Sequence, residues 1–191
     1  MTEHATLFSQ VSSSSPSPIH LLLLLLLLLI PFTPTLSHCE DGKAHSELRL
    51  NTQVDFDDRE LAAKLYGRLR PHLPETYRGG WIPQMVNERI RVVRYERGEK
   101  TTIHTDGSFR RNPGEMSLLT LMVYLNHGFL GGDTYFYDHV TRKRVRRVLP
   151  LAGKALLFDH LTLHEGSPVT EGTKWIIRTD IMFTHPAPPD M

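Results

Sequence analysis

From Ile90 onward, apolar residues fall on every second position or in short runs: "RIRVVRY", "MSLLTLMVYLN", "DTYFYD", "KRVRRVLP", "KALLF" and "KWIIRTDIMF". The runs are rich in Val, Ile, Thr, Tyr and Phe, whose branched or flat side chains suit a pleated, half-buried surface. Turn signals separate them at Gly98, at Asn112-Pro113-Gly114, at Gly131-Gly132, at Gly153 and between Gly166 and Gly172. Many short strands without intervening helices predict a sandwich, barrel or jelly roll. One helical signal precedes them, in "DFDDRELAAKLYGRLRPHLP". Leu61, Leu65 and Leu69 recur every fourth residue, Asp57 or Asp58 can cap the start, Glu60 sits in the first turn, and Pro71 and Pro74 stop it. The expected fold is mainly β, a sandwich with a flanking helix packed on one sheet.

Composition narrows the chemistry. The 191 residues are enough for one domain with a core, plus a tail. A formal net charge of +1 offers no basic surplus for a phosphate backbone, so no nucleic-acid partner is expected. Cys39 is the sole cysteine, which excludes an intramolecular disulfide and a cysteine-based zinc cluster. A metal would have to be held by His, Asp or Glu.

The first 43 residues read differently from the rest. "VSSSSPSPIH" is low-complexity, and an apolar run from Ile19 to Ile30, broken only by His20, is followed by Pro31 and Pro34. That run falls short of the roughly 20 residues a membrane span needs, but fits the core of a signal peptide or a short anchor. Thr35 and Ser37 are small residues suited to cleavage after Ser37, whereas "MTEHATLFSQ" lacks the usual Lys or Arg. The expectation is secretory or membrane-associated targeting through residues 19–30, with a cytoplasmic protein if the leucine run is not a signal. The domain plan is a leader and linker over 1–43, one folded domain over 44–185 and a tail over 186–191.

Two polar signals carry chemistry. "TTIHTDGSF" puts His104 and Asp106 one residue apart, where alternate side chains of extended backbone point the same way. The triplet alone decides nothing, because polar residues on a turn look identical. Downstream, "LTLHEGSPVTEGTKW" places His164 between a strand-like run and a loop. Together the three make a two-histidine, one-carboxylate set, which leaves coordination positions open and suits non-heme Fe(II). His127, His139 and His160 show no matching partner, and the basic run Arg142, Lys143, Arg144, Arg146, Arg147 reads first as a solvated hairpin.

Four blocks then line up in order with one family. "RYERGEKTTIHTDG" resembles its Tyr-x-x-Gly…His-x-Asp segment, and "LMVYLNHGFLGGDTYFYD" its Tyr-Leu-Asn…Gly-Gly-x-Thr-x-Phe hairpin. "PLAGKALLFDH" and "HEGSPVTEGTKW" resemble its Pro-x-x-Gly strand and its His…Pro-Val-x-x-Gly-x-Lys-Trp segment. From Asn51 to His185 the chain resembles the catalytic domain of prolyl 4-hydroxylases, within the 2-oxoglutarate/Fe(II) dioxygenases. The resemblance implies a double-stranded β-helix (a distorted jelly roll). It assigns His104, Asp106 and His164 to iron, and a basic residue beyond the distal histidine to the far carboxylate of 2-oxoglutarate. By spacing that residue is Lys174, with Arg178 as competitor four residues along the same strand face; Arg178 could instead pair with Asp180. Tyr95 and Tyr124 fall where the family places cosubstrate-contacting tyrosines, and Thr101 stands where collagen-type relatives carry an aromatic residue. The implied reaction is Fe(II)-, 2-oxoglutarate- and O2-dependent hydroxylation, with L-ascorbate as reductant, of a prolyl residue in a peptide or protein. The alternatives are hydroxylation of a small molecule and a non-catalytic binding protein on the same fold.

Overall fold

A computed structural model describes residues 49–186. The leucine run, the cleavage position after Ser37 and Cys39 lie outside the described residues. In chain order, the elements begin with β1 (Arg49–Leu50), β2 (Thr52–Asp57), α1 (Arg59–Leu69), β3 (Ile82–Val86), β4 (Arg89–Tyr95) and β5 (Lys100–His104). There follow β6 (Arg110–Asn112), β7 (Glu115–Tyr124), β8 (Leu130–Gly131), β9 (Thr134–Tyr137) and β10 (Arg144–Val148). The last four are β11 (Ala155–Asp159), β12 (His164–Gly166), β13 (Val169–Glu171) and β14 (Lys174–Thr184).

Two antiparallel sheets face each other. The minor sheet runs β1-β5-β12-β9-β10, and the major sheet runs β11-β7-β14-β4-β2, with β3 paired to the far end of β14 and β6 to β7. A core of Val93, Tyr95, Met122, Tyr124, Phe136, Leu156, Phe158, Val169 and Ile176 lies between them, drawn from strands of both sheets. The opposite face of the major sheet presents Leu119, Leu121, Ile181 and Phe183, and α1 covers it with Ala62, Leu65 and Leu69. The four-residue leucine spacing thus buries one stripe of the helix, as amphipathic packing requires.

Asp58 caps α1, its side chain accepting from the Leu61 N–H at 2.9 Å. The helix ends at Leu69, and Pro71 sits in a short 3-10 turn over Arg70–His72. One correction concerns the residues before the cap. Asp55, Phe56 and Asp57, read with the helical stretch, belong to β2, which pairs with β4 along its length with Asp55 opposite Arg91. Pairing with an existing strand outweighs helical propensity in a segment that has not yet reached its cap.

Gly131 and Gly132 mark a place where only glycine fits. Their φ angles are 75° and 68°, and a Cβ on Gly131 would stand 2.3 Å from the Pro168 carbonyl oxygen. The close approach lets β8 pair with β13, with Val169 opposite Gly131.

Candidate metal centre and the cavity beside it

His104 closes β5 and His164 opens β12, and the two strands pair so that the histidines stand opposite each other. Their ring centroids are 4.2 Å apart. Asp106 follows two residues after the end of β5, in a turn fixed by its N–H donating to the His160 carbonyl at 2.7 Å. Both imidazoles are anchored in the same way: Nδ1 of His104 lies 2.8 Å from the Thr102 carbonyl, and Nδ1 of His164 lies 2.9 Å from the Thr162 carbonyl. A carbonyl can only accept, so each Nδ1 carries the proton and each Nε2 offers a lone pair. Those lone pairs converge on the carboxylate, with His104 Nε2 3.4 Å from Oδ1 and His164 Nε2 3.8 Å from Oδ2. One ligand atom from each residue lies within 4.8 Å of the other two. Imidazoles whose second nitrogen is held by a backbone carbonyl are the usual presentation of metal-binding histidines.

The electrostatics suit a cation. Burial pushes the His164 imidazole down to about 4, with His104 and Arg178 adding to the effect and Asp106 opposing it. The ring is therefore a neutral donor at physiological pH. Burial works against ionisation of Asp106, but Arg178, His104, His164 and Thr120 together hold its carboxyl well below the usual carboxylate range. Arg178 Nη2 lies 2.5 Å from Asp106 Oδ1, and the Thr120 hydroxyl donates to Oδ2 at 2.6 Å.

Lys174 and Arg178 share one face of β14 and line the same cavity, together with His104, His164, Tyr95 and Thr101. Their surroundings differ. Arg178 is ion-paired with Asp106, and Asp180 acts on it only as a more distant charge, so the expected Arg178–Asp180 pair is replaced by one to the candidate metal ligand. Lys174, 3 % exposed, donates to the Gly132 carbonyl at 2.7 Å and sits 5.1 Å and 5.4 Å from the ring centroids of Tyr95 and Tyr124. Burial pulls its ammonium down to about 8, opposed by Asp133. Asp133 is itself ion-paired with Arg147 at 2.7 Å. Tyr95 bonds to Thr101 at 3.0 Å and Tyr124 to Thr134 at 2.7 Å, and burial raises Tyr124 further from ionisation. Tyr95 thus faces the cavity, while Tyr124 touches Lys174 through its ring.

Several participants went unnoticed in the sequence. Thr120, Ser117 and His160 are all buried, and His160, read as having no partner, lies 2.9 Å from both the Thr120 and Ser117 hydroxyls. The available signal was a pair of hydroxyl residues inside the apolar run "MSLLTLMVYLN", since a buried hydroxyl needs a partner. Two members of the basic run are also engaged. Arg144 pairs with Glu165 at 2.9 Å and stacks 4.0 Å from the Tyr135 ring centroid, while Arg147 holds Asp133. His127 and His139 are exposed.

Residues 90–179 match the family model of the 2OG-Fe(II) oxygenase superfamily. A probable prolyl 4-hydroxylase 4 from Arabidopsis thaliana is 32% identical, over 50% of this chain and 41% of its own length. A PKHD-type hydroxylase from Paracoccus denitrificans is 26% identical, over 70% of this chain and 60% of its own. The match spans about two fifths of the length of the Arabidopsis relative. Among solved structures, a Pseudomonas putida prolyl-4-hydroxylase superposes with a TM-score of 0.66 at 17% identity, covering 96% of this chain and 95% of that one. A Trichoplax adhaerens prolyl hydroxylase, solved with a hypoxia inducible factor oxygen degradation domain peptide fragment, gives 0.68 at 18% identity, covering 93% and 84%. The two facing sheets are accordingly a double-stranded β-helix, the fold shared with these solved structures, and residues 90–179 of the chain resemble the 2OG-Fe(II) oxygenase superfamily.

Proposed function

We propose that this domain hydroxylates an unactivated C–H bond with Fe(II), 2-oxoglutarate and O2, and that its substrate is a prolyl residue in a peptide or protein. The observation that carries the reading is the convergence of two backbone-anchored Nε2 lone pairs on the Asp106 carboxylate, in a cavity also lined by the buried cation Lys174. His104, Asp106 and His164 would hold the iron, and the donor set fits it: two neutral imidazoles and one carboxylate, with room for further ligands. When bound, the iron supplies O2-dependent oxidative decarboxylation of the keto acid coupled to oxygen insertion into the substrate.

The chain's own residues do the positioning. Lys174 would meet the far carboxylate of 2-oxoglutarate, because its buried charge touches a carbonyl and two aromatic faces, while its acidic neighbour Asp133 is already paired with Arg147. A buried charge without a counter-ion is costly, and a dicarboxylate removes that cost. Arg178 would stay on Asp106, fixing the ligand and keeping it ionised. Tyr95 and Thr101, bonded to each other, would present a hydroxyl edge to the cosubstrate. The prolyl substrate rests on the names of the Arabidopsis relatives, and L-ascorbate as reductant on the same likeness.

The test is to incubate the purified protein with Fe(II), ascorbate and 2-oxoglutarate, follow succinate, and then add proline-rich peptides. Succinate coupled to a mass gain of one oxygen in the peptide supports the reading. Succinate that never becomes coupled to any peptide would move the substrate to a small molecule. We further propose secretory or membrane-associated targeting through residues 19–30. Among the described residues no helix is long and apolar enough to cross a membrane. Expression as a fusion, with the mature amino terminus read by sequencing, tests it; a cytosolic product still carrying Met1 overturns it.

A further inference from the structure

The carboxylate of Asp106 sits at one end of a buried hydrogen-bond chain. Thr120 Oγ1 lies 2.6 Å from Asp106 Oδ2 and 2.9 Å from His160 Nδ1. His160 Nε2 lies 2.9 Å from Ser117 Oγ, and Ser117 Oγ accepts from the Phe109 backbone N–H at 2.8 Å. The Ser117 N–H returns a bond of 2.7 Å to the Phe109 carbonyl, tying the loop after Asp106 to β7. Ser117 and Thr120 are fully buried and His160 is 1 % exposed.

The two ends fix the direction of everything between them. An ionised carboxylate only accepts, and a backbone N–H only donates. Thr120 must therefore give its proton to Asp106 and accept from His160, so His160 carries hydrogen on Nδ1. Ser117 accepts from Phe109, and the acceptor for its own proton is His160 Nε2. An imidazolium would donate to Ser117 as well, leaving that hydroxyl proton buried with no acceptor. All donors and acceptors of the chain are used only if the ring is neutral.

We propose that His160 is a positioning residue for Asp106: a neutral, Nδ1-protonated imidazole that fixes, through Thr120, which oxygen of the carboxylate is bonded and how its plane is turned. The inference rests on Asp106 being a metal ligand. Its consequence is that metal affinity depends on residues with no contact to the metal, as outer partners of ligating groups commonly do.

Two measurements test it. In the 15N-labelled metal-free protein, long-range 1H–15N correlation reads the His160 tautomer, assigned by the signals lost in His160→Asn. The expected result is a protonated Nδ1 and a bare Nε2; an Nε2–H tautomer or an imidazolium at neutral pH overturns the proposal. Mn(II) titration then compares the parent with Thr120→Val, which keeps the shape of the side chain and removes the hydroxyl. Affinity should fall about 10-fold to 100-fold. His160→Asn should stay nearer the parent than His160→Phe, because its amide N–H stands where Nδ1–H stood. Thr120→Val binding Mn(II) like the parent overturns the proposal, as does a loss confined to thermal stability. His104→Ala is the separate control: Mn(II) binding that survives it removes the metal-site reading itself.

Discussion

Lys174 brings a positive charge into a place where a carbonyl and two aromatic rings are its direct contacts. Replacing it by Ala should raise the apparent KM for 2-oxoglutarate by roughly 30-fold or more, the equivalent of about 2 to 5 kcal/mol for a buried charge-assisted contact. Fe(II) affinity, read in the same preparation, should barely change. Arg178→Ala should do the reverse, weakening metal binding before cosubstrate binding, because its guanidinium is on Asp106. A pH dependence follows from the depressed ammonium. Below about 8 both the folded and unfolded chains hold the Lys174 proton; between about 8 and 10.5 the folded protein has released it and the unfolded chain has not. Folding thus becomes more favourable as pH rises through that window, while the cation proposed to meet the dicarboxylate disappears. The KM for 2-oxoglutarate should climb as pH passes about 8, and Lys174→Arg should flatten that limb. The candidate ligands could be picked out because alternate residues of extended chain share a side, so His-x-Asp gains weight once a distal histidine and matching blocks accompany it. The partners of Arg178 and His160 were not, since alternation tells which face a side chain shares but not which strand lies across from it.

At the scale of elements, the strands that alternate cleanly and the capped helix could be read from the sequence, and the short pieces could not. β2 carries few apolar residues and β3 is short and holds a proline, and each pairs with the edge that a longer strand offers it: β4 for the first, the far end of β14 for the second. Register, too, comes from pairing. That His164 stands opposite His104 depends on an irregularity between His164 and Gly166 in the β5–β12 ladder, which no local pattern announces. The glycine pair offers a test of how elements support the site. Gly131→Ala places a methyl against the Pro168 carbonyl at a positive φ, and should cost at least roughly 1 to 3 kcal/mol in chemical denaturation. Because the neighbouring Gly132 carbonyl holds Lys174, the variant should also bind 2-oxoglutarate more weakly. Unchanged stability would mean that β8 and β13 separate without consequence for the fold.

For the molecule as a whole, the candidate site is carved out of the core between the two sheets, so its groups couple to folding. His164 is pushed from 6.5 down to about 4, so the unfolded chain takes up a proton first as pH falls. Stability of the metal-free protein should therefore drop between about pH 6.5 and 4, by on the order of 3 kcal/mol from this residue. Asp106, held low, adds a further loss as pH falls below 3.8. Thermal unfolding at pH 7.5 and 5 measures the first effect, and His164→Asn should reduce it. Metal binding to the native state alone should raise the midpoint at neutral pH and fade on acidification, since the same nitrogens take either a proton or the ion. The central claim is that this constellation, assembled from β5, the turn after it, β12 and β14, is an Fe(II)/2-oxoglutarate centre. Its most direct test is succinate formation by the Fe(II)-loaded protein supplied with 2-oxoglutarate, set beside His164→Ala and Lys174→Ala. Succinate is expected from the parent, none from His164→Ala, and from Lys174→Ala a rate restored only at high 2-oxoglutarate. Undiminished succinate from His164→Ala, or none from a parent shown to bind Fe(II) and 2-oxoglutarate, would contradict that claim.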